Sequence, residues 1–217
     1  MISRQLLQQF PMFSEVDEAN AVRLCELAQL VDVPRKTRLV EAGSHSDGTF
    51  LLVSGRVKVF LAGDDGREVI LSTLDPGEVF GEMSLIDDQP RSAHVETVEH
   101  CVLARIGRED FLECLDRSPQ LARAVMRNLA ARLRAADEQI ERLALFSVEE
   151  RVLQFLLDHS KVVDGRRQIE PPSKQDIARN VGASREMVSR VMRSLEETGR
   201  MSVKGKTLVF KEPVSLE

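Results

Sequence analysis

Tyrosine and tryptophan are both absent from this 217-residue chain, and phenylalanine occurs nine times. Stacking against a base or sugar ring therefore falls to Phe, His or Arg. Cysteine is scarce: Cys25, Cys101 and Cys114 make an odd number with no short metal-type spacing, which argues for reduced, structural thiols. The histidines His45, His94, His100 and His159 are scattered without a pair at helical metal-binding spacing, so no metal site is expected. No apolar run reaches the roughly 20 residues that span a bilayer. The start, Met1-Ile-Ser-Arg-Gln-Leu-Leu-Gln-Gln-Phe-Pro, is too polar for a secretory core, and a soluble cytoplasmic protein is expected. There is no nucleophile–base pairing, no His/carboxylate metal spacing and no P-loop, so the chain does not read as an enzyme.

What is present suits two modest domains: 42% of residues are hydrophobic, enough for real cores. The net charge of −5 argues against a uniformly basic nucleic-acid binder, but the charge is uneven. Residues 171–211 hold nine Lys/Arg against four acids, a local net charge of +5 on an otherwise acidic protein. Such a segment points to a dedicated anion-binding module.

Residues 14–30 carry Val22, Leu24, Leu27 and Ala28 at helical spacing. From about 33 to 106, short runs such as Phe50-Leu-Leu-Val, Val57-Lys-Val-Phe and Val69-Ile-Leu are separated by Gly and Asp turns, which predicts a small antiparallel barrel or sandwich. Helical period returns after Arg108. Met126, Leu129, Leu133, Ala136, Ile140 and Leu143 then recur at alternating three and four, a heptad-type stripe on a helix over Pro119–Leu143 of about 37 Å. Its length and charged flanks favour a dimer seam over a helix buried in its own domain. Ser147 and Glu150 have capping-box spacing, a polar connection Asp164-Gly-Arg-Arg follows, and Pro171-Pro172 marks a break.

Residues 173–197 read as two short helices around a tight turn. Ser173 caps the first, with Ile177, Ala178 and Val181 as its apolar face; Gly182 turns the chain; Ser184 caps the second, which buries Val188, Val191 and Leu195. Arg185, Glu186, Ser189, Arg190 and Arg193 are left on the outward face or exposed start. A helix-turn-helix that reads DNA accounts for this better than a plain helical hairpin. Arginine near the start of such a helix can grip a guanine edge bidentately, and a glutamate can accept from a cytosine amine. The tail Met201-Ser-Val-Lys-Gly-Lys-Thr-Leu-Val-Phe is expected to form a hairpin near Gly205, a wing whose Lys204 and Lys206 hold phosphate.

Residues 81–93, Gly-Glu-Met-Ser-Leu-Ile-Asp-Asp-Gln-Pro-Arg-Ser-Ala, set Glu82 and Arg91 on a loop-like segment. A cyclic nucleotide offers a ribose hydroxyl to a carboxylate and a cyclic phosphate to an arginine fork. Gly81 permits close backbone approach, and Ser84 and Ser92 add donors. Alone, the run is either such a cradle or an ordinary surface turn.

Taken together, the chain resembles the cyclic AMP receptor protein/fumarate–nitrate reduction regulator (CRP/FNR) family of bacterial transcription factors, from about residue 10 to 211. The likeness is strongest in Gly77-Glu-Val-Phe-Gly-Glu-Met-Ser-Leu with Arg91-Ser-Ala, in Val181-Gly-Ala-Ser-Arg-Glu-Met-Val-Ser-Arg, and in Gly205-Lys-Thr. The resemblance implies an α+β protein with a jelly-roll-like cyclic-nucleotide-binding β-roll (1–117), a long dimerisation helix (118–145) and a winged helix-turn-helix (146–217). It implies effector binding by Gly81, Glu82, Met83, Ser84, Arg91 and Ser92, with Arg132 and Asp137 supplied by the dimer helix. It implies base reading by Arg185, Glu186 and Arg190 beside Ser189, and backbone contacts by Ser173, Gln175, Ser184 and Lys206. A homodimer on a near-palindromic double-stranded operator and an encounter with RNA polymerase follow, the acidic turn Asp64-Asp65 with Glu68 matching a surface the family can offer the polymerase.

The departures bear on the ligand. Where the cyclic AMP-binding branch carries a Thr-Ser pair on the dimer helix, this chain has Ala136-Asp137. A carboxylate can accept from an adenine amine, or from the N1–H and amino group of guanine. Cyclic AMP is therefore expected first, with cyclic GMP and cyclic di-GMP open, and no prosthetic group. The loop near 162–168 is shorter than in that branch, so its polymerase-contacting role does not transfer. The oxygen-sensing branch needs an N-terminal cysteine cluster that Cys25 alone cannot supply. The alternative is a regulator of the same family that answers a non-nucleotide or redox signal and keeps a vestigial pocket.

Overall fold

A computed structural model describes residues 1–63, 66–163 and 165–210, and the chain divides into two compact units, Met1–Arg134 and Ala135–Glu217. The Asp64-Asp65 turn, Asp164 and Lys211 lie outside the described residues.

The first unit opens with α1 (Arg4–Leu7) and α2 (Glu18–Leu27). Strands β1 (Gln29–Val33), β2 (Arg38–Val40), β3 (Gly48–Ser54), β4 (Val57–Ala62), β5 (Glu68–Leu74) and β6 (Val79–Phe80) follow. A single helical turn, α3 (Met83–Ile86), precedes β7 (His94–Thr97) and β8 (Cys101–Gly107), and α4 (Arg108–Arg117) leads into the long α5 (Pro119–Leu145). The strands form two antiparallel four-stranded sheets, ordered β1-β8-β3-β6 and β2-β7-β4-β5, as the turn spacing predicts. β3 explains why part of this region reads as an unbroken apolar run. Phe50 and Leu52 join Val33, Val57, Phe80, Val95 and Leu103 in a core shared by the two sheets. Leu51 points the other way, into a core with Phe10 and with Leu24, Phe111, Leu121 and Val125 of the covering helices. A strand buried on both faces has no polar phase.

The helical expectation over 14–30 is met by a shorter helix. Leu24 and Ala28 are fully buried, but Val22 is 44% exposed and lies off the packed face. α5 carries two apolar faces. Leu121, Ala124 and Val125 are buried in the first unit, and Leu129, expected on the heptad stripe, packs with them. Met126, Leu133, Ile140 and Leu143 remain exposed at 44–64%.

The second unit contains the end of α5, then α6 (Val148–Asp158), β9 (Lys161–Val163), β10 (Arg166–Ile169), α7 (Lys174–Val181), α8 (Arg185–Glu197), β11 (Met201–Lys204) and β12 (Thr207–Phe210). The Ser147 capping box forms: Glu150 N–H donates to Ser147 Oγ at 3.2 Å, and Ser147 N–H donates to Glu150 Oε2 at 2.6 Å. The wing hairpin β11–β12 turns at Gly205, φ +64°. The expected polar connection is instead a second hairpin, β9–β10, which extends the wing into a sheet ordered β11-β12-β10-β9. No helix among the described residues is long and apolar enough to cross a membrane.

On the β2-β7-β4-β5 sheet a charge ladder runs across strands. Lys58 Nζ lies 3.2 Å from Glu68 Oε2 and 3.1 Å from Glu96 Oε1, and Arg38 Nη2 lies 3.3 Å from Glu96 Oε2. Both cations sit over the ring of the fully buried Phe60, at 4.2 and 4.8 Å. Partial burial works to raise the Glu96 carboxyl, but the hydrogen bond and charge of Lys58, followed by those of Arg38, outweigh it and hold the group below the ordinary carboxylate range. A depressed pKa contributes stability that is present above the unfolded value and lost as pH falls through the folded one. Glu96→Gln should therefore cost about 1 kcal/mol near neutrality, and less in acid, where the wild-type carboxylate is protonated too. Urea midpoints at several pH values check this; equal losses at all of them would refute it.

Candidate functional site

The pairing of β6 with β3 (Phe50 opposite Phe80, Leu51 opposite Val79) delivers Gly81 and Glu82 to the edge of the sandwich core. Gly81 has φ +83°, and a Cβ there would lie 2.6 Å from Arg91 Nη1, so the close approach expected of this glycine is real and is made by the protein's own arginine. Arg91, only 6% exposed, donates from Nη1 to the Gly81 carbonyl at 2.5 Å and to Ser84 Oγ at 3.1 Å, and from Nη2 to the Gly48 carbonyl at 2.6 Å. Asp47 Oδ1 lies 3.9 Å from Nη2. Arg105 in turn bonds the Asp47 carboxylate at 2.8 Å.

Glu82 is completely buried. Its Oε1 accepts from Arg132 Nη1 at 2.8 Å, and Arg132 Nη2 also donates to the Val79 carbonyl. Its Oε2 is buried without a hydrogen-bond partner among the described residues. Burial pushes the Glu82 carboxyl above its ordinary value, opposed by the charge of Arg132 and, more weakly, of Arg91. A desolvated carboxylate with one lone-pair face unused is costly unless a donor can reach it.

Of the residues expected at the effector site, Gly81, Glu82, Ser84, Arg91 and Arg132 come together. Met83 (43% exposed) and Ser92 lie at the surface beside them. One expectation needs correction: the segment is not loop-like throughout, since Met83–Ile86 is a helical turn. Ser84 is buried, and its hydroxyl accepts from Arg91. Asp137 is exposed and lies in the second compact unit. The main-chain acceptors of Gly48 and Val79 and the neighbouring Asp47 were not foreseen. The carbonyls carry no residue-type signal, and Asp47 sits in a loop without a motif. A cavity of about 340 Å³ borders Arg91 and is lined also by Glu41, Ser44, His45 and Asp47. Among the described residues no cluster of His, Cys, Asp and Glu could hold a metal ion.

In the second unit the two-helix reading holds in detail. Ser173 Oγ accepts from Asp176 N–H at 3.2 Å, Gly182 ends α7 at φ +63°, and Ser184 Oγ accepts from Met187 N–H at 3.2 Å. Val188 and Leu195 are fully buried. Arg185, Glu186, Arg190 and Arg193 are exposed, as are Gln175 and Lys206, and Ser189 is half-buried. The Glu186 carboxyl is held below its ordinary range, first by its own main-chain N–H and then by Ser184, with weaker help from Arg185 and Arg190. It stays ionised and acceptor-only at neutral pH. The face thus presents guanidiniums and one fixed acceptor, the complement of guanine and cytosine edges.

Comparison with known proteins agrees with this division. A cyclic nucleotide-binding domain matches residues 30–118 and a Crp-like helix-turn-helix domain matches residues 150–217. The cAMP-activated global transcriptional regulator Vfr of Pseudomonas aeruginosa is 35% identical over 182 residues, covering 80% of this chain and 85% of Vfr. The chain belongs to the CRP/FNR family. Its CRP relative from Pasteurella multocida, described as a cAMP-activated global transcriptional regulator, is 32% identical over 181 residues, 81% of this chain and 87% of that one. Among solved structures, the c-di-GMP responsive global regulator CLP of Xanthomonas campestris superposes with a TM-score of 0.76 at 30% identity, covering 89% of this chain and 99% of CLP. Gly81, Glu82, Ser84 and Arg91 fall within the first match and α7 and α8 within the second, while Arg132 lies between the two.

Arg91 is a structural cross-link as well as a ligand candidate. Arg91→Leu leaves the Gly81 and Gly48 carbonyls without this donor and should destabilise the protein by about 2–6 kcal/mol, from about one to three per orphaned group. Ser92→Ala, at the surface, should leave stability unchanged. Denaturant unfolding of both variants is the measurement; equal stabilities would remove the cross-linking role.

Proposed function

We propose that the chain is a homodimeric DNA-binding transcriptional regulator whose operator affinity is controlled by a cyclic nucleotide. The observation that carries the reading is the half-satisfied, fully buried Glu82 carboxylate beside Arg91. A cyclic nucleotide supplies a ribose O–H for Oε2 and a phosphate for the Arg91 guanidinium, the Ser92 hydroxyl and the Gly81 edge. Arg132 stands where it can answer the ligand from α5, and Asp137 is the residue assigned to the base. Vfr and the P. multocida relative are cAMP-activated by name and CLP is c-di-GMP responsive by name, so cyclic AMP stands first and cyclic GMP and cyclic di-GMP remain candidates. The effector acts through its differential affinity for two arrangements of the protein. It is not a prosthetic group, and the protein is a binding protein, not an enzyme.

The exposed stripe Met126, Leu133, Ile140, at seven-residue spacing, supports a parallel helix seam between two copies. Arg185, Glu186, Ser189 and Arg190 read bases, while Ser173, Gln175, Ser184 and Lys206 hold the backbone, on a near-palindromic operator with half-sites about one helical turn apart. The working division is sensor 1–117, dimerisation helix 118–145 and reader 146–217, in a cytoplasmic protein that meets RNA polymerase. Redox sensing by thiols is the weaker alternative: Cys25, Cys101 and Cys114 are all buried, and burial pushes each thiol up, away from the reactive thiolate.

Calorimetry with cyclic AMP, cyclic GMP and cyclic di-GMP tests the effector. At least one should bind, and Glu82→Gln should weaken it about 10- to 100-fold, the size of a charged hydrogen bond. Because the Glu82 pKa is raised, its carboxylate takes up a proton closer to neutrality than an ordinary one. Affinity should therefore fall as pH is lowered, and Glu82→Gln should flatten that slope. No binding by any of the three sinks the nucleotide reading. For the reader, Arg185→Ala should cost about 1–3 kcal/mol of discrimination at one base position, while Lys206→Ala should weaken all sequences alike. Gel shifts at fixed salt that show no sequence preference in the wild type would overturn the DNA reading.

A further inference from the structure

Arg108, the first residue of α4, is absent from every motif read in the sequence, yet it is bonded to both rims of the Glu82–Arg91 cradle. Its main-chain N–H donates to the Asp47 carbonyl at 3.1 Å, securing the end of the segment that also brings Asp47 to Arg91. Its guanidinium reaches the opposite rim: Nη2 donates to Asp88 Oδ1 at 2.8 Å and Nη1 to the Ser84 carbonyl at 3.4 Å. Ser84 thus stands between two arginines, its hydroxyl on Arg91 and its carbonyl on Arg108.

The backbone at Asp88 gives this arrangement a purpose. Asp88 has φ +55°, and among the described residues only Lys36 shares a positive φ without being glycine. A side chain in the left-handed region persists where its surroundings over-determine it. Here the Asp88 carboxylate meets the Arg108 guanidinium. α3 is one turn long, too short to hold its shape unaided, so its position depends on contacts from outside: the buried Leu85 anchors its inner face in the core, and Arg91 and Arg108 bond it at Ser84. An exposed ion pair does little for global stability, and Asp88 is 85% exposed in this one. What the pair can do is fix where one short turn sits.

We infer that Arg108 is a positioning residue for effector binding: with Asp88 it forms a clasp that holds α3, and through Ser84 the Arg91 guanidinium, in the geometry that receives the ligand. The inference rests on the effector reading of Glu82 and Arg91. Arg108 acts on the ligand through Ser84 and Arg91, so breaking the clasp should raise the dissociation rate and not abolish binding.

Two measurements separate the clasp from the effector reading. The first uses the full-length protein without nucleotide. In Arg108→Ala, hydrogen exchange at the amides of Leu85, Ile86 and Asp87 should quicken about two- to fivefold, the weight of one exposed ion pair, with the thermal midpoint nearly unchanged. Asp88→Gly keeps the left-handed backbone and the Arg108–Ser84 bond and removes only the carboxylate; it should quicken exchange by no more than Arg108→Ala, and the double variant should exchange no faster than Arg108→Ala alone. Arg108→Lys should recover part of the protection. The second measurement is dissociation of cyclic AMP, cyclic GMP and cyclic di-GMP, each used as a probe, with a two- to fivefold rise in off-rate expected in both single variants for whichever binds. Unchanged exchange in Arg108→Ala, or slower exchange in Asp88→Gly through release of backbone strain, overturns the clasp. A wild type that binds none of the three probes overturns the effector reading, while the exchange data still decide the clasp.

Discussion

A guanidinium removed from water costs several kcal/mol unless its N–H groups find acceptors, and the sensor unit is organised around meeting that demand at Arg91. The acceptors come from separate pieces of chain: the Gly48 carbonyl at the start of β3, the Gly81 carbonyl just past β6, and the Ser84 hydroxyl in α3. One side chain therefore ties two strands and a helical turn together at the rim of the sandwich. β3, buried on both faces and paired in register with β6, fixes where Gly48 and Gly81 stand.

Two carboxylates in this unit show how magnitudes decide between opposing effects. Glu96 is partly open to water and has Lys58 and Arg38 in reach, so attraction and hydrogen bonding win and its pKa falls. Glu82 is fully buried and has Arg132 on one oxygen only, so desolvation wins and its pKa rises. The same residue type, with a cation at about the same distance, is a stabilising surface cross-link in one place and a poised acceptor in the other.

Local features were legible in the sequence where the chemistry closes within a few residues. Ser147 with Glu150, Ser173 with Asp176, and Ser184 with Met187 each form the cap their spacing implies. Glu82 and Arg91 were legible because a carboxylate and a guanidinium beside a positive-φ glycine are chemically distinctive. What could not be read depends on distant partners. The β9–β10 hairpin looks like a polar linker because β12, some forty residues later, completes its sheet. Leu129 matches the heptad by spacing, but a helix with two apolar faces leaves the choice to the core it meets. The bond from Arg91 to the Ser84 hydroxyl joins residues seven apart, too far for a local rule to foresee. Arg108 had no signature, for its role exists only once Asp47, Ser84 and Asp88 are neighbours in space.

The acceptors at Gly48 and Gly81 also bear on how such a site can diversify. A main-chain carbonyl cannot be deleted by changing a codon, so two of the three bonds to Arg91 survive most substitutions around them. What cannot vary is the absence of a side chain: a Cβ at Gly48 would come within 2.5 Å of the Ile106 carbonyl oxygen, and one at Gly81 within 2.6 Å of Arg91 itself. Drift is thereby channelled. The floor of the cradle is frozen in glycine and backbone, while the exposed positions Met83 and Ser92 meet no such steric limit, so the rim can change without rebuilding the fold that holds the cradle.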